Sequence, residues 1–167
     1  RPLQLWLAAF LYLLTQWASW AGTWTALIHS PPEAITTMLL LPDGTVMAAG
    51  ANTQSLWYRL TPDASGSYVN GTWKQVASLP SGYQPYANAE SVLADGRVII
   101  AGGEYNFDQF SFTNLSALYD PVADTWTDVT PSFNLLPFIG DSPATVIPDG
   151  RFLVGEQALF GLGPFRR

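Results

Sequence analysis

Three Asp-Gly pairs at a near-constant interval constrain this chain more than any other feature. They fall at Asp43-Gly44, Asp95-Gly96 and Asp149-Gly150, 52 and 54 residues apart. Each joins two apolar runs: LLLPDGTVMAAG (39–50), SVLADGRVIIAGG (91–103) and TVIPDGRFLVG (145–155). Asp-Gly between aliphatic runs predicts a β-hairpin, with both central turn residues at positive φ. The glycines that close each second run (Gly50, Gly102-Gly103 and Gly155) are expected to end the strand where chains crowd together. A second marker keeps the same beat: Trp24, Trp73 and Trp126 are 49 and 53 residues apart.

Two further strands complete each unit. LWYRLTP (56–62) and LSALYDP (115–121) read as third strands, each stopped by a proline that cannot donate to the ladder. The tryptophans open a fourth: TWTAL (23–27), TWKQV (72–76) and TWTDV (125–129), whose alternation sets indole and aliphatic side chain on different pleats or between sheets. Four antiparallel strands in about 50 residues is the unit of a β-propeller of the kelch period. With 48% hydrophobic residues, such sheets cannot hide both faces alone and need neighbours stacked on them. The expected fold is therefore all-β: four-stranded antiparallel blades over residues 22–156, divided at about 22–70, 71–124 and 125–156, in an incomplete propeller.

The residues then carry a resemblance. Gly102-Gly103 after a strand, Leu118-Tyr119-Asp120-Pro121 and Trp126-Thr127 resemble the double-glycine, Tyr-Asp-Pro and Trp-Thr signature of kelch repeats. LLLPDGTVMAAG, GSYVNGTWKQVASLPSGY and ALYDPVADTWTDV are similar to secreted bacterial kelch proteins related to the central domain of galactose oxidase. The likeness spans roughly residues 22–156 and is fullest in the second unit. The first has Gly50-Ala51 and Leu60-Thr61-Pro62, and the third has Gly155-Glu156. The resemblance implies a kelch propeller. It brings no oxidase site, because the copper and Tyr–Cys radical of those enzymes need Cys and several His, and this chain has no Cys and only His29.

Composition narrows function further. Without Cys, disulfides, zinc ribbons and thiol nucleophiles are excluded. A formal charge of −6 argues against nucleic acid, which demands a basic stripe. The acids of the hairpins and strand ends (Asp43, Asp95, Asp149 and Asp120) are accounted for by turn roles. No phosphate loop or nucleophile elbow is present. The sequence thus names no catalytic residue, no metal ligand and no cofactor.

In such a blade the 2–3 and 4–1 connections share one face, and here they are the long ones: 28–35, 77–89, 104–114 and 130–142. Long loops on a rigid scaffold are where binding sites usually form. These hold Tyr83, Tyr86, Glu104, Tyr105, Asn106, Phe107, Asp108 and Phe110 as the candidate ligand-binding set, with Phe112, Phe133, Phe138, Gln109 and Asp141 nearby. Aromatic faces with carboxylates and amides suit sugar or peptide recognition. The reading is a non-catalytic exported scaffold that binds carbohydrate or protein. The alternative is a piece of a galactose oxidase-like carbohydrate-active enzyme whose catalytic residues lie outside this chain. Contiguous exposure of Tyr105, Phe107 and Phe110 would separate a binding patch from satellite core.

The N-terminus is a separate object. Arg1, the apolar run 3–14 and the small-x-small Ser19-Trp20-Ala21 describe a signal peptide over residues 1–21. An uncleaved signal anchor is the second reading and a buried apolar helix the third. Secretion or the cell envelope follows, with membrane contact only through this segment. Asn70-Gly71-Thr72 and Asn114-Leu115-Ser116 match the glycosylation pattern, but Asn70-Gly71 reads first as a turn. Residues 157–167 fit no blade strand. Three units fall short of a closed propeller, so the chain is expected to be a piece of a longer one, or to close by pairing with a second copy.

Overall fold

A computed structural model describes residues 22–131 and 139–155. The signal segment, Phe133, Phe138 and the 157–167 tail lie outside the described residues. The elements are β1 Ile35–Leu40, β2 Val46–Gly50, β3 Trp57–Thr61, β4 Thr72–Gln75, β5 Pro85–Tyr86, β6 Ala89–Val92, β7 Val98–Asn106, β8 Gln109–Asp120, β9 Thr125–Asp128, β10 Ala144–Val146 and β11 Phe152–Val154. The described residues contain no helix.

The three Asp-Gly hairpins form as expected: β1–β2, β6–β7 and β10–β11, all antiparallel. Their turn differs from the expected one. Leu41, Leu93 and Ile147 each accept the amide of the glycine three residues on, and each donates to the carbonyl four residues on (2.7–3.0 Å). Each loop therefore has three residues, with only the glycine left-handed (φ +80°, +87° and +85°). This is a type I turn followed by a glycine bulge, and it explains why proline precedes Asp-Gly at positions 42 and 148. The aspartate side chain completes the loop by accepting the amide two residues on, as Asp43 does from Thr45 (2.9 Å).

β1-β2-β3-β4 is the first four-stranded sheet, in meander order. The second repeats it as β6-β7-β8-β9, with β5 added on β7. β10-β11 begins a third. The expected fourth strands at Trp73 and Trp126 are β4 and β9. The expected strand at 23–27 is absent, and Trp24 is fully exposed. No described third strand lies beside it to share a ladder, so its amides have no reason to line up.

The core lies between sheets. Leu41, Met47, Ala49 and Trp57 of the first pack against Val98, Ile100, Ala117 and Tyr119 of the second. Ala89 and Ala101 meet Ile139 and Val154 to begin the next interface. Trp126 donates to the carbonyl of Ala77 (2.9 Å), and Asp124 accepts the amide of the same residue (2.9 Å). One residue of the segment following the first sheet is thus clamped through both its N–H and its C=O by the second.

Candidate functional site

The segment 104–114, expected to be a loop, is an extension of a hairpin. β7 and β8 continue past the blade and pair to the end, Tyr105 opposite Phe110 and Asn106 opposite Gln109. Phe107 and Asp108 form the two-residue turn, both left-handed (φ +54° and +58°). That is the geometry which usually selects Gly or Asn, so the sequence carries no turn signal here. Nor do Gly102-Gly103 end the strand. They sit within β7 at shifts of register, with φ +73° and +148°. A Cβ on Gly102 would overlap the Ile139 carbonyl oxygen. Residues without side chains are needed there because the next segment presses on the backbone.

The extension lines up aromatic rings across three strands. Tyr86 on β5 lies 6.0 Å from Tyr105 on β7, Tyr105 lies 5.6 Å from Phe110 on β8, and Phe110 lies 5.1 Å from Phe112. The angles between planes are 58–75°, the tilted and edge-on contacts that ring quadrupoles favour. Tyr86 and Phe110 remain 49% and 63% exposed, so the row is a surface and not core. Phe107 stands exposed at the tip.

Beside this row a cavity of about 430 Å³ opens between the first two sheets. Tyr86 and Tyr105 form part of its wall, with Glu104 and Asp141. Thr36 and Thr37 of β1, Asn88, and Glu90 of β6 line it too. Thr37 donates to the Glu90 carboxylate across the sheet interface. Burial pushes the Glu90 carboxyl up, against the lowering effect of hydrogen bonds from Thr37 and Asn88. Trp57, 2% exposed, also lines the cavity, and its indole N–H has no acceptor. Buried donors in folded proteins are nearly always paired, so this one stands out.

The hairpin is held over the cavity by a bridge of amides. Gln54, buried in the 2–3 connection of the first sheet, donates to Asp108 (3.0 Å) and accepts from Gln84 (2.9 Å). Asn106 accepts the amide of Gln84 (2.8 Å) and donates to the Gly82 carbonyl (3.1 Å).

The candidate residues therefore separate. Tyr86, Tyr105 and Phe110 come together in one row, with Glu104 at the cavity beside them. Phe107 caps the tip. Asn106 and Asp108 fix the hairpin. Tyr83 is a core residue: it is 4% exposed, its hydroxyl donates to the Gly102 carbonyl (2.7 Å), and burial holds its phenol far above the usual range. Sequence reasoning missed Gln54, Trp57, Asn88 and Glu90. Only Glu90 offered a signal, as an acid inside a short strand just before an apolar run. Among the described residues, no group of three His, Cys, Asp or Glu is placed to hold a metal ion.

No protein-family model matches the chain. The kelch-like protein terF of Aspergillus terreus (strain NIH 2624 / FGSC A1156) is 33% identical over 92 residues, covering 54% of this chain and 19% of that protein. The solved structure of YjhT superposes with a TM-score of 0.59 at 18% identity, over 78% of this chain and 36% of that one. A fungal alcohol oxidase of the AA5 family, in complex with copper, gives a TM-score of 0.41 at 21% identity, over 54% of this chain and 17% of that one. The chain thus spans about a fifth of its curated relative and about a third of the YjhT structure.

Proposed function

We propose that this chain, whose described residues form part of a kelch-type β-propeller, is an exported binding scaffold that takes carbohydrate on its long-loop face. The observation that carries this reading is the row Tyr86–Tyr105–Phe110–Phe112 running beside a polar cavity. A sugar ring offers two surfaces to a protein, a face of C–H bonds and a rim of hydroxyls. Exposed rings match the first, and the threonines, Asn88 and carboxyls of the cavity match the second. The β7–β8 extension supplies rigidity, because paired strands hold the rings in place before any ligand arrives. Export is supported by the charged start, the apolar run 3–14 and the small-x-small site that follows. Sequencing the N-terminus of the mature protein from its host checks that part.

The binding test is a glycan array probed with the chain, followed by calorimetry on the best hit. Tyr105→Ala and Phe110→Ala should each weaken binding about tenfold, the loss of one stacked ring. Val122→Ala, at an exposed position outside the row and the cavity lining, should not. Binding unaffected by either ring, or no glycan bound at all, refutes the proposal.

A further inference from the structure

The cavity's lining carries charge of one sign only. Glu90, Glu104 and Asp141 contribute three carboxyls, while no Lys, Arg or His lines it among the described residues. Arg97 and Arg151 lie outside the lining, and each is held by its own hairpin aspartate (2.7 and 2.6 Å). We propose, resting on the carbohydrate reading above, that this cavity selects by charge: it admits an uncharged sugar unit and rejects one that bears a carboxylate.

Both halves follow from the groups present. The hydroxyls of a neutral ring can donate to the lining carboxyl oxygens and accept from the Asn88 amide without bringing charge. A uronate would have to shed its hydration in a cleft that offers no counter-charge, next to carboxylates of its own sign. Burial already pushes the Glu90 carboxyl up with no added charge nearby. Rejection by unfavourable groups sharpens specificity without adding affinity for the right ligand.

The experiment uses a matched pair: a uronic-acid oligosaccharide and its carboxyl-reduced, neutral form, each titrated into the chain by calorimetry. The neutral member should bind more tightly by about tenfold or more, the scale of one like-charge contact outside bulk water. In the variant Glu90→Gln/Glu104→Gln/Asp141→Asn that ratio should fall toward one. Glu104→Gln/Asp141→Asn, which leaves the more buried Glu90 in place, should lower it partway and guards against misfolding of the triple variant. Equal binding of the two members to the native chain overturns the charge selection while leaving carbohydrate binding intact. Failure of both members to bind overturns the carbohydrate reading and the selection with it.

Discussion

Trp126 and Trp73 occupy the same position in successive sheets, yet replacing each by phenylalanine should have very different consequences. Trp126 packs against the core, 5.0 Å from Tyr119 and 5.5 Å from Trp57 ring to ring, and its indole donates to Ala77 at 2.9 Å. Phenylalanine keeps a ring there but removes the donor. The half-buried Ala77 carbonyl is then left unpaired at about 1–3 kcal/mol, and the smaller ring loses contact worth about 1 kcal/mol more. Trp126→Phe should therefore cost about 2–4 kcal/mol, lowering Tm by roughly 4–16 °C for a chain of this size. Trp73 donates to His29 at 3.2 Å from the surface, where water can replace the lost N–H. Trp73→Phe should cost under about 0.5 kcal/mol. Urea unfolding followed by far-UV circular dichroism measures both without relying on the altered fluorophores, and the slope should be unchanged. Asp124→Ala removes the carboxylate that accepts the amide of that same Ala77 and the hydroxyl of Tyr119. Combined with Trp126→Phe it should cost less than the sum of the two, by about 0.5 kcal/mol or more, because both hold the same residue. Equal costs for the two tryptophans would refute the idea that the clamp, not the indole itself, joins the sheets.

Three further outcomes are expected. Gly102→Ala places a Cβ against the Ile139 carbonyl at φ +73° and should cost more than about 3 kcal/mol; Gly44→Ala, in open space at φ +80°, should cost only about 1–2 kcal/mol, both read by urea unfolding. The Tyr58 phenol is pushed up to about 12 by its hydrogen bond to Glu33 and then by burial, so spectrophotometric titration should find it ionising late. A raised phenol makes the folded state hold its proton longer. That stability is complete below the ordinary tyrosine range and lost as pH rises through about 12, and Tyr58→Phe should abolish this part of the alkaline transition. Arg97→Gln and Arg151→Gln break exposed hairpin ion pairs and should leave Tm within about 2 °C in thermal melts, since such pairs contribute little.

What the sequence made legible was what lies close along the chain. Asp-Gly located all three hairpins, although the glycine alone is left-handed, because the bond pattern of a three-residue loop leaves the same trace as a two-residue one. Prolines after the third strands and Thr-Trp at the fourth placed β3, β4, β9 and the C-terminal end of β8 within a residue or two. The segment 23–27 carries the same Thr-Trp and has no strand, because a ladder needs a partner that the motif does not contain. The β7–β8 extension escaped because Phe107 and Asp108 adopt left-handed backbone without glycine, held there by Asn106 and Gln54 from outside the turn. Gly102-Gly103 pointed to close approach correctly but not to what approaches, which is Ile139 from the following unit.

The repeat period turns out to be a contact rule, and the site lies where the rule is broken. Thr37 meets Glu90 at a separation of 53 residues, Gln54 meets Asp108 at 54, and Trp126 meets Ala77 at 49. Each is close to one unit length, because equivalent positions of stacked sheets face one another. A period of 52–54 residues thus states which positions share an interface, even where no local motif marks them. In the first unit the 2–3 connection is only residues 51–56. In the second, β7 and β8 run on by several residues, and β5 pairs with the extended β7. That departure builds the aromatic row beside the polar cavity. The aromatic row is what the second unit adds to the repeat, while Thr37, Trp57 and Glu90 bring the repeated strands themselves to the cavity wall.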